Sequence, residues 1–347
     1  MKYLKLLPFA VVLLLASCTG CNENKGREKP DVSNIKAEAH ILRFDQDMKE
    51  GAAQANFAEW QSGMRAKYGD FYDFYLRQFI IGPRPAGDTA DINEDAIKRF
   101  YADQYINTIQ TSIDKNYKDT KQLQGELTSL FKNITYYFPK FHTPQVVTFN
   151  SAYSAGISPY GAEQFAIGLD MFLGENNPDY DSAGIYVYLR HKMTPAYIPR
   201  YTAEALYDAN FAPMVGEQTL LESMVERGKQ MYFISYVLPD APDYMIYGYT
   251  GAQAEWCKQN EKEIWKFFND KDLLYKSNAM DKARYLGEGP TSAGMPKEAP
   301  GNIGNYIGLQ IVRQFMANEG KNIPLADLVL KYDAKTILSK AKYRPGK

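Results

Sequence analysis

The chain has 347 residues, 40 Lys and Arg against 41 Asp and Glu, and a formal net charge of −1. A near-neutral balance without a basic stripe speaks against a nucleic-acid partner, and the length allows one large domain or two intimate ones. The three histidines, His40, His142 and His191, stand too far apart for any two to share a helix face as a metal pair.

The chain opens with Met1-Lys2-Tyr3-Leu4-Lys5, an apolar run from Leu6 to Ala16, and Leu15-Ala16-Ser17-Cys18. A charged start, an apolar middle and small residues before a cut are the layout of a secretory signal. About 11 apolar residues are too few to span a bilayer, which takes roughly 20. Cys directly after the small pair marks a bacterial lipoprotein, so residues 1–17 read as a signal peptide and Cys18 as the lipidation site. Several acyl chains on one Cys exceed the two-signal threshold for stable anchoring. Without Lys2 and Lys5 the mature chain carries 38 basic and 41 acidic residues, a formal charge of −3. Residues 18–33 are polar and Gly/Pro-containing and read as a flexible tether. Residues 34–347 read as a single globular domain. Cys21 falls on the tether and Cys257 on an expected helix, which favours two free thiols.

Ile41 to Asp45 reads as the first strand or turn of the folded part. From Asp47 to Ile81 the spacing is helical, with Phe57, Trp60 and Met64 and then Phe71, Phe74, Tyr75 and Phe79, on either side of Gly69. A loop at 82–87 follows, and helical spacing resumes through Ile97, Phe100, Tyr105 and Ile109 and through Leu123, Leu127, Leu130 and Phe131. Gln145 to Phe149 and Phe165 to Leu169 are β-branched and aromatic and read as two strands, separated by a Gly/Ser/Pro segment. After Pro199 the pattern is helical again, with long helices expected over 217–236, 250–268 and 302–316. The spaced glycines Gly301, Gly304 and Gly308 lack a preceding strand, so close helix–helix packing explains them better than phosphate binding. The fold class is α+β, predominantly helical, with one small central sheet. The 27 Tyr and 18 Phe point to an aromatic-rich core with Tyr at its wet margin; a sugar-binding surface is the alternative.

Catalytic signatures are sparse. No Gly-x-Ser-x-Gly elbow and no Walker-type loop occurs. One arrangement resembles zinc peptidases of the gluzincin type, in which a strand precedes an H-E-x-x-H helix and a Glu from a second helix completes the zinc shell. Here Glu204 would take the general-base place and Glu226, 19 positions after Tyr207, the third-ligand place. Ala203 and Tyr207 stand where both histidines should be. The geometry of such a site could therefore survive without the metal; ordinary helix charges are the alternative.

Nearly the whole mature chain, from His40 onward, resembles the gliding-motility lipoprotein family GldB of Bacteroidetes. The segments that carry the resemblance are Leu42-Arg43-Phe44-Asp45, Tyr136-Tyr137-Phe138-Pro139, Gly168-Leu169-Asp170 with Phe172-Leu173-Gly174, and Gly228-Lys229-Gln230-Met231-Tyr232 leading to Leu238-Pro239. They continue through Gly248-Tyr249-Thr250, Asn260-Glu261 with Ile264-Trp265, Pro300-Gly301-Asn302-Ile303-Gly304, Ile311-Val312-Arg313 and Ser339-Lys340-Ala341-Lys342-Tyr343-Arg344-Pro345. The resemblance implies a non-catalytic, membrane-held envelope lipoprotein, without cofactor or metal, that meets protein partners of the gliding and type IX secretion machinery. A zinc-dependent peptidase with an atypical site and a glycan- or peptide-binding surface lipoprotein are the alternatives. The residues after Cys18 lack a compact acidic run, which favours a periplasm-facing anchor. Asp88-Thr89-Ala90 and Asp181-Ser182-Ala183 resemble the Asp-Ser/Thr-apolar sites that such bacteria O-glycosylate, making Thr89 and Ser182 candidate attachment points.

Overall fold

A computed structural model describes residues 29–51, 56–81, 94–161, 163–214 and 216–345. Its one sheet has four strands, Ile41–Arg43 (β1), Gln145–Phe149 (β2), Ile157–Tyr160 (β3) and Gln164–Gly168 (β4), in the order β1-β2-β4-β3. β1, β2 and β4 run parallel, with Val146 beside Ile41 and Phe165, and β3 pairs antiparallel with β4. Both faces are covered, as parallel strands require. Val146, Phe165 and Ile167 point into the large helical core, whereas Val147, Phe149 and Ala166 point into a second, smaller one. The alternation follows from the period of two along a strand.

The smaller core is aromatic. Phe44 packs edge-on against Tyr68, Phe71 and Tyr75, at ring separations of 4.8, 5.2 and 4.8 Å. Such contacts add to area burial, and the buried hydroxyls find acceptors: Tyr75 Oη donates to the Asn150 carbonyl at 2.9 Å and Tyr68 Oη to Asp47 at 2.7 Å.

Two buried carboxylates lock the chain as it leaves the parallel strands. Asp45, fully buried, takes a forked bond from Arg43 (Nη2 at 2.6 Å, Nε at 3.0 Å) and one from Thr148 Oγ1 at 2.7 Å. Asp170 accepts from Ser151 N at 2.9 Å, from Ser151 Oγ at 2.7 Å and from Tyr153 N. It thereby holds Ala152 and Tyr153 in the left-handed region, at φ 52° and 58°, which costs non-glycine residues energy. Burial pushes the Asp170 carboxyl up to about 6, against the pull of those three donors. The Leu42-Arg43-Phe44-Asp45 and Gly168-Leu169-Asp170 segments thus have a structural reason.

The large core is organised around two helices, Leu220–Val237 and Ile303–Glu319. They cross where neither has a side chain. A Cβ on Gly228 would lie 2.2 Å from the Gly308 carbonyl oxygen, and one on Gly308 would lie 1.7 Å from that of Met224. The glycines therefore serve close packing. The Leu220–Val237 helix starts at a capping box, Thr219 with Glu222, three residues after the expected start.

Three sequence expectations need correction. The segment between the two expected strands contains a third, β3, which carries Pro159 at the sheet edge, where a missing N–H is tolerated. The expected 250–268 helix is two, Gly251–Gln259 and Glu261–Asp270, broken at Asn260 with φ −112° and ψ 15°. Phe44 and Asp45 open the Phe44–Gly51 helix, and Leu169 opens a 3₁₀ turn, so both strands end earlier than expected. Cys257 is a free, fully buried thiol that burial pushes up to about 12; Cys18, Cys21, Thr89 and the 82–87 loop lie outside the described residues. No described helix is long and apolar enough to cross a membrane.

Gly308→Ala tests the crossing. Helix propensity favours Ala by about 1 kcal/mol, whereas overpacking costs about 1–3 kcal/mol, and the obstructing atoms here are backbone that cannot rotate away. A net loss of about 2 kcal/mol is expected in urea unfolding. A variant as stable as the parent would show that the helices can separate freely.

Candidate functional site

The Ile198–Asn210 helix, entered through Pro199 in its first turn, packs against the edge strand β3 and against the Leu220–Val237 helix. It is the helix that carries Glu204 and Tyr207, and its neighbour carries Glu226. Two clefts open along this seam. The larger, of about 580 Å³, is lined by Tyr207, Asp208, Glu226, Arg227, Gln230 and Lys282 among others. The smaller, of about 400 Å³, is lined by Ile157, Phe172, Tyr201, Glu204 and Asp208 among others. Tyr207 and Glu226 therefore share a cleft, Glu204 opens into the adjoining one, and Asp208 borders both. Ala203 is fully buried.

Each carboxylate of the seam has an intramolecular partner. Glu204 is paired with Arg200 one turn earlier, and the same guanidinium donates to the Ile246 carbonyl at 3.3 Å. Asp208 accepts from Gln230 Nε2 at 2.7 Å, and Gln230 Oε1 accepts from Arg227 at 3.0 Å. Glu226 lies 3.1 Å from Lys229 Nζ, whose ammonium also donates to the Tyr332 carbonyl at 2.8 Å. Lys229 is only 1 % exposed, and a buried ammonium persists as a charge only when paired and hydrogen-bonded. Tyr207 Oη is buried without a hydrogen-bond partner, and Glu226 Oε2 has only its ion pair with Lys229, whose geometry is not that of a hydrogen bond. Burial raises the Tyr207 hydroxyl pKa, and the charge on Glu226 raises it further.

Among the described residues no three His, Cys, Asp or Glu come together in a way that could hold a metal. His191, half-buried, has its Nε2 3.3 Å from the Gly248 carbonyl, and burial lowers its pKa. The seam as built holds one ion pair within each helix and a Gln230–Asp208 hydrogen bond between them. Arg200 was legible as a partner of Glu204 from its i,i+4 spacing. Lys229 was legible in the same way, three positions after Glu226 on one helix; Asp208 and Gln230 gave no such signal, because their contact crosses between two helices. Ser182 is exposed at the end of the Asp179–Ser182 helix, its hydroxyl donating to the Asp179 carbonyl at 2.8 Å.

Two substitutions separate packing from pairing in this seam. Tyr207→Phe removes a buried hydroxyl that bonds nothing, so stability should stay level or rise by up to about 1 kcal/mol. Glu226→Ala strands the Lys229 ammonium and should cost about 3 kcal/mol. Chemical denaturation reads both, and a substantial loss in Tyr207→Phe would reveal a bond to that hydroxyl.

Comparison with curated proteins and with solved structures found no match. The sequence model described as gliding motility protein GldB matches residues 25–345. That span holds both carboxylate locks, the glycine crossing and the charged seam, and the chain belongs to the GldB family of gliding-motility lipoproteins.

Proposed function

We propose that the protein is held on a membrane by acyl chains on Cys18 and acts there, without catalysis, through contacts with envelope proteins of the gliding or secretion machinery. The observation that carries this reading is the Leu15-Ala16-Ser17-Cys18 leader ahead of a body that belongs to the GldB family. The charged seam supports a structural role for its carboxylates, since Glu204, Asp208 and Glu226 are each taken up by a neighbouring side chain. A periplasm-facing position fits the sequence after Cys18. Ser182, exposed on a short surface helix, is available for O-glycosylation, and Thr89 is proposed with it from sequence alone.

Cys18→Ala should abolish labelling by radioactive fatty acid and move the protein out of the membrane fraction. Intact mass of the native protein should exceed that of the chain from Cys18 by the acyl groups, and by a glycan if Ser182 or Thr89 is used. Equal labelling of the alanine variant would overturn the anchor.

The peptidase alternative is favoured by one observation, the packing of the Glu204 helix against both an edge strand and the Glu226 helix. It requires imidazole where Ala203 and Tyr207 stand. Ala203 offers no ligand atom, and a buried tyrosine is a poor substitute near neutral pH. Elemental analysis of the purified protein is expected to find no stoichiometric zinc; about one zinc per chain with chelator-sensitive peptidase activity would establish the alternative.

A further inference from the structure

We infer that a groove between the C-terminal tail and the start of the Leu220–Val237 helix docks an acidic segment of a partner protein, anchored by an apolar side chain. The inference rests on the proposed action through protein contacts and names where and with what chemistry such a contact forms. The groove is large, about 920 Å³. Leu221 and Leu338 contribute to an apolar floor, and Trp265 and Tyr275 flank it. Three cations, Lys335, Lys342 and Arg344, line it, and no acidic residue does.

These cations differ from those of the seam. Among the described residues, Lys342 and Arg344 have no acidic partner. Lys335 pairs with Glu222 Oε1 at 3.7 Å, while the other oxygen of that carboxylate accepts from Thr219 N at 2.8 Å in the capping box. The positive field of Lys342 and Arg344 is therefore free to attract an anion, which is how charges at an interface rim accelerate and select encounters.

The groove is held in shape before any ligand arrives. Tyr343 Oη donates to Glu261 at 2.7 Å, Tyr306 Oη donates to the other oxygen of the same carboxylate at 2.8 Å, and Tyr343 meets Trp265 edge-on at 5.1 Å. That clamp fixes the tail, so Lys342 and Arg344 flank an immobile residue. Tyr275 is 78 % exposed, yet its segment is fastened on both sides. Leu221 N donates to the Leu274 carbonyl at 2.9 Å and Leu220 N to the Lys276 carbonyl at 2.7 Å. An exposed aromatic on a rigid segment is suited to serve as a binding anchor, because little ordering entropy remains to be lost. Three separate segments that carry the family resemblance converge here, ending in Trp265, beginning at Ile311, and running from Ser339 to Arg344.

The occupant follows from the surroundings. Lys29, at the start of the described chain, pairs with Asp240, and Pro30 and Val32 line a cleft with Val237 and Leu238. The tether thus leaves from the C-terminal end of the Leu220–Val237 helix, whereas Leu221 in the groove stands near its N-terminal end, about 24 Å away at 1.5 Å per residue. The groove therefore lies at the opposite end of that helix from Lys29. A floor of aliphatic side chains accepts an apolar side chain, and the cations beside it suit a carboxylate.

The test uses the full lipoprotein in phosphatidylcholine nanodiscs and a fluorescent peptide of alternating Glu and Phe, with Lys replacing Glu in the control. The acidic peptide should bind and perturb Trp265 emission, and the basic one should not. Combined Lys342→Glu and Arg344→Glu should weaken binding about tenfold, as should Tyr275→Ala, while the remote Lys297→Glu leaves it unchanged. Acidic-peptide affinity indifferent to the charge reversals would overturn the inference. Phosphatidylglycerol vesicles or polygalacturonate binding through Lys342 and Arg344 where the peptide does not would overturn it too. In living cells, a photoreactive residue at position 275 should capture a protein through an acidic segment. Protein crosslinks from other faces but none from 275 would sink the groove and leave action by contacts standing. An absence of protein crosslinks from every face would sink that broader reading itself.

Discussion

The contact on which most of the molecule depends is backbone against backbone, where Gly228 and Gly308 let two long helices meet. The Leu220–Val237 helix is buried almost all round and touches the Ile198–Asn210, Ala279–Leu286, Leu325–Lys331 and Ala334–Ala341 helices. Because it is pinned at Gly228, its neighbours inherit their positions from it. Glu226 and Lys229 flank the crossing, so the ion pair of the seam is held by the same constraint. Moving the helices apart by one methyl group would disturb the seam and the C-terminal groove together, since a close-packed interior transmits displacement.

The sheet is small, yet it separates two cores of different character. The helical core is mainly aliphatic. The smaller core is built largely from Phe44, Tyr68, Phe71, Tyr72 and Tyr75, all fully buried. Tyrosine at such depth needs an acceptor or a wet edge. Tyr75, Tyr68 and Tyr101 have acceptors or mutual contacts, while Tyr72 Oη has none. Much of the aromatic content is therefore accounted for by core packing. Asp45 and Asp170 complete the arrangement where the parallel strands end, each offsetting the cost of a buried carboxylate with several hydrogen bonds, Asp45 from Arg43 and Thr148 and Asp170 from the turn after β2.

The distribution of charge separates architecture from surface. Inside, Glu204, Asp208 and Glu226 are matched by Arg200, Gln230 and Lys229. Of these contacts only the Gln230–Asp208 bond ties the two helices together, and the ion pairs leave Glu204 and Glu226 little pull for a ligand. On the outside, Lys342 and Arg344 remain unmatched among the described residues beside exposed aromatic surface.

The amino-acid sequence by itself determined the family, the α+β class and the extent of most long helices, because these follow from local composition and period. Strands β2 and β4 were legible from runs of β-branched and aromatic residues. The glycine spacing around Gly304 already pointed to close helix packing. Strand β3 was not legible, since Ser158 and Pro159 break the pattern, and only its pairing with β4 makes it a strand. The break at Asn260 was hidden because apolar residues continue on both sides of it. The sequence could align Glu204, Tyr207 and Glu226 along a pattern. Only the tertiary structure decided that Tyr207 and Glu226 share one cleft, that Glu204 opens into another, and that Gln230 meets Asp208 across the two helices. The reason is physical: helical period fixes which face a residue occupies, whereas the partner it meets depends on crossing positions set by backbone contacts between glycines 80 residues apart.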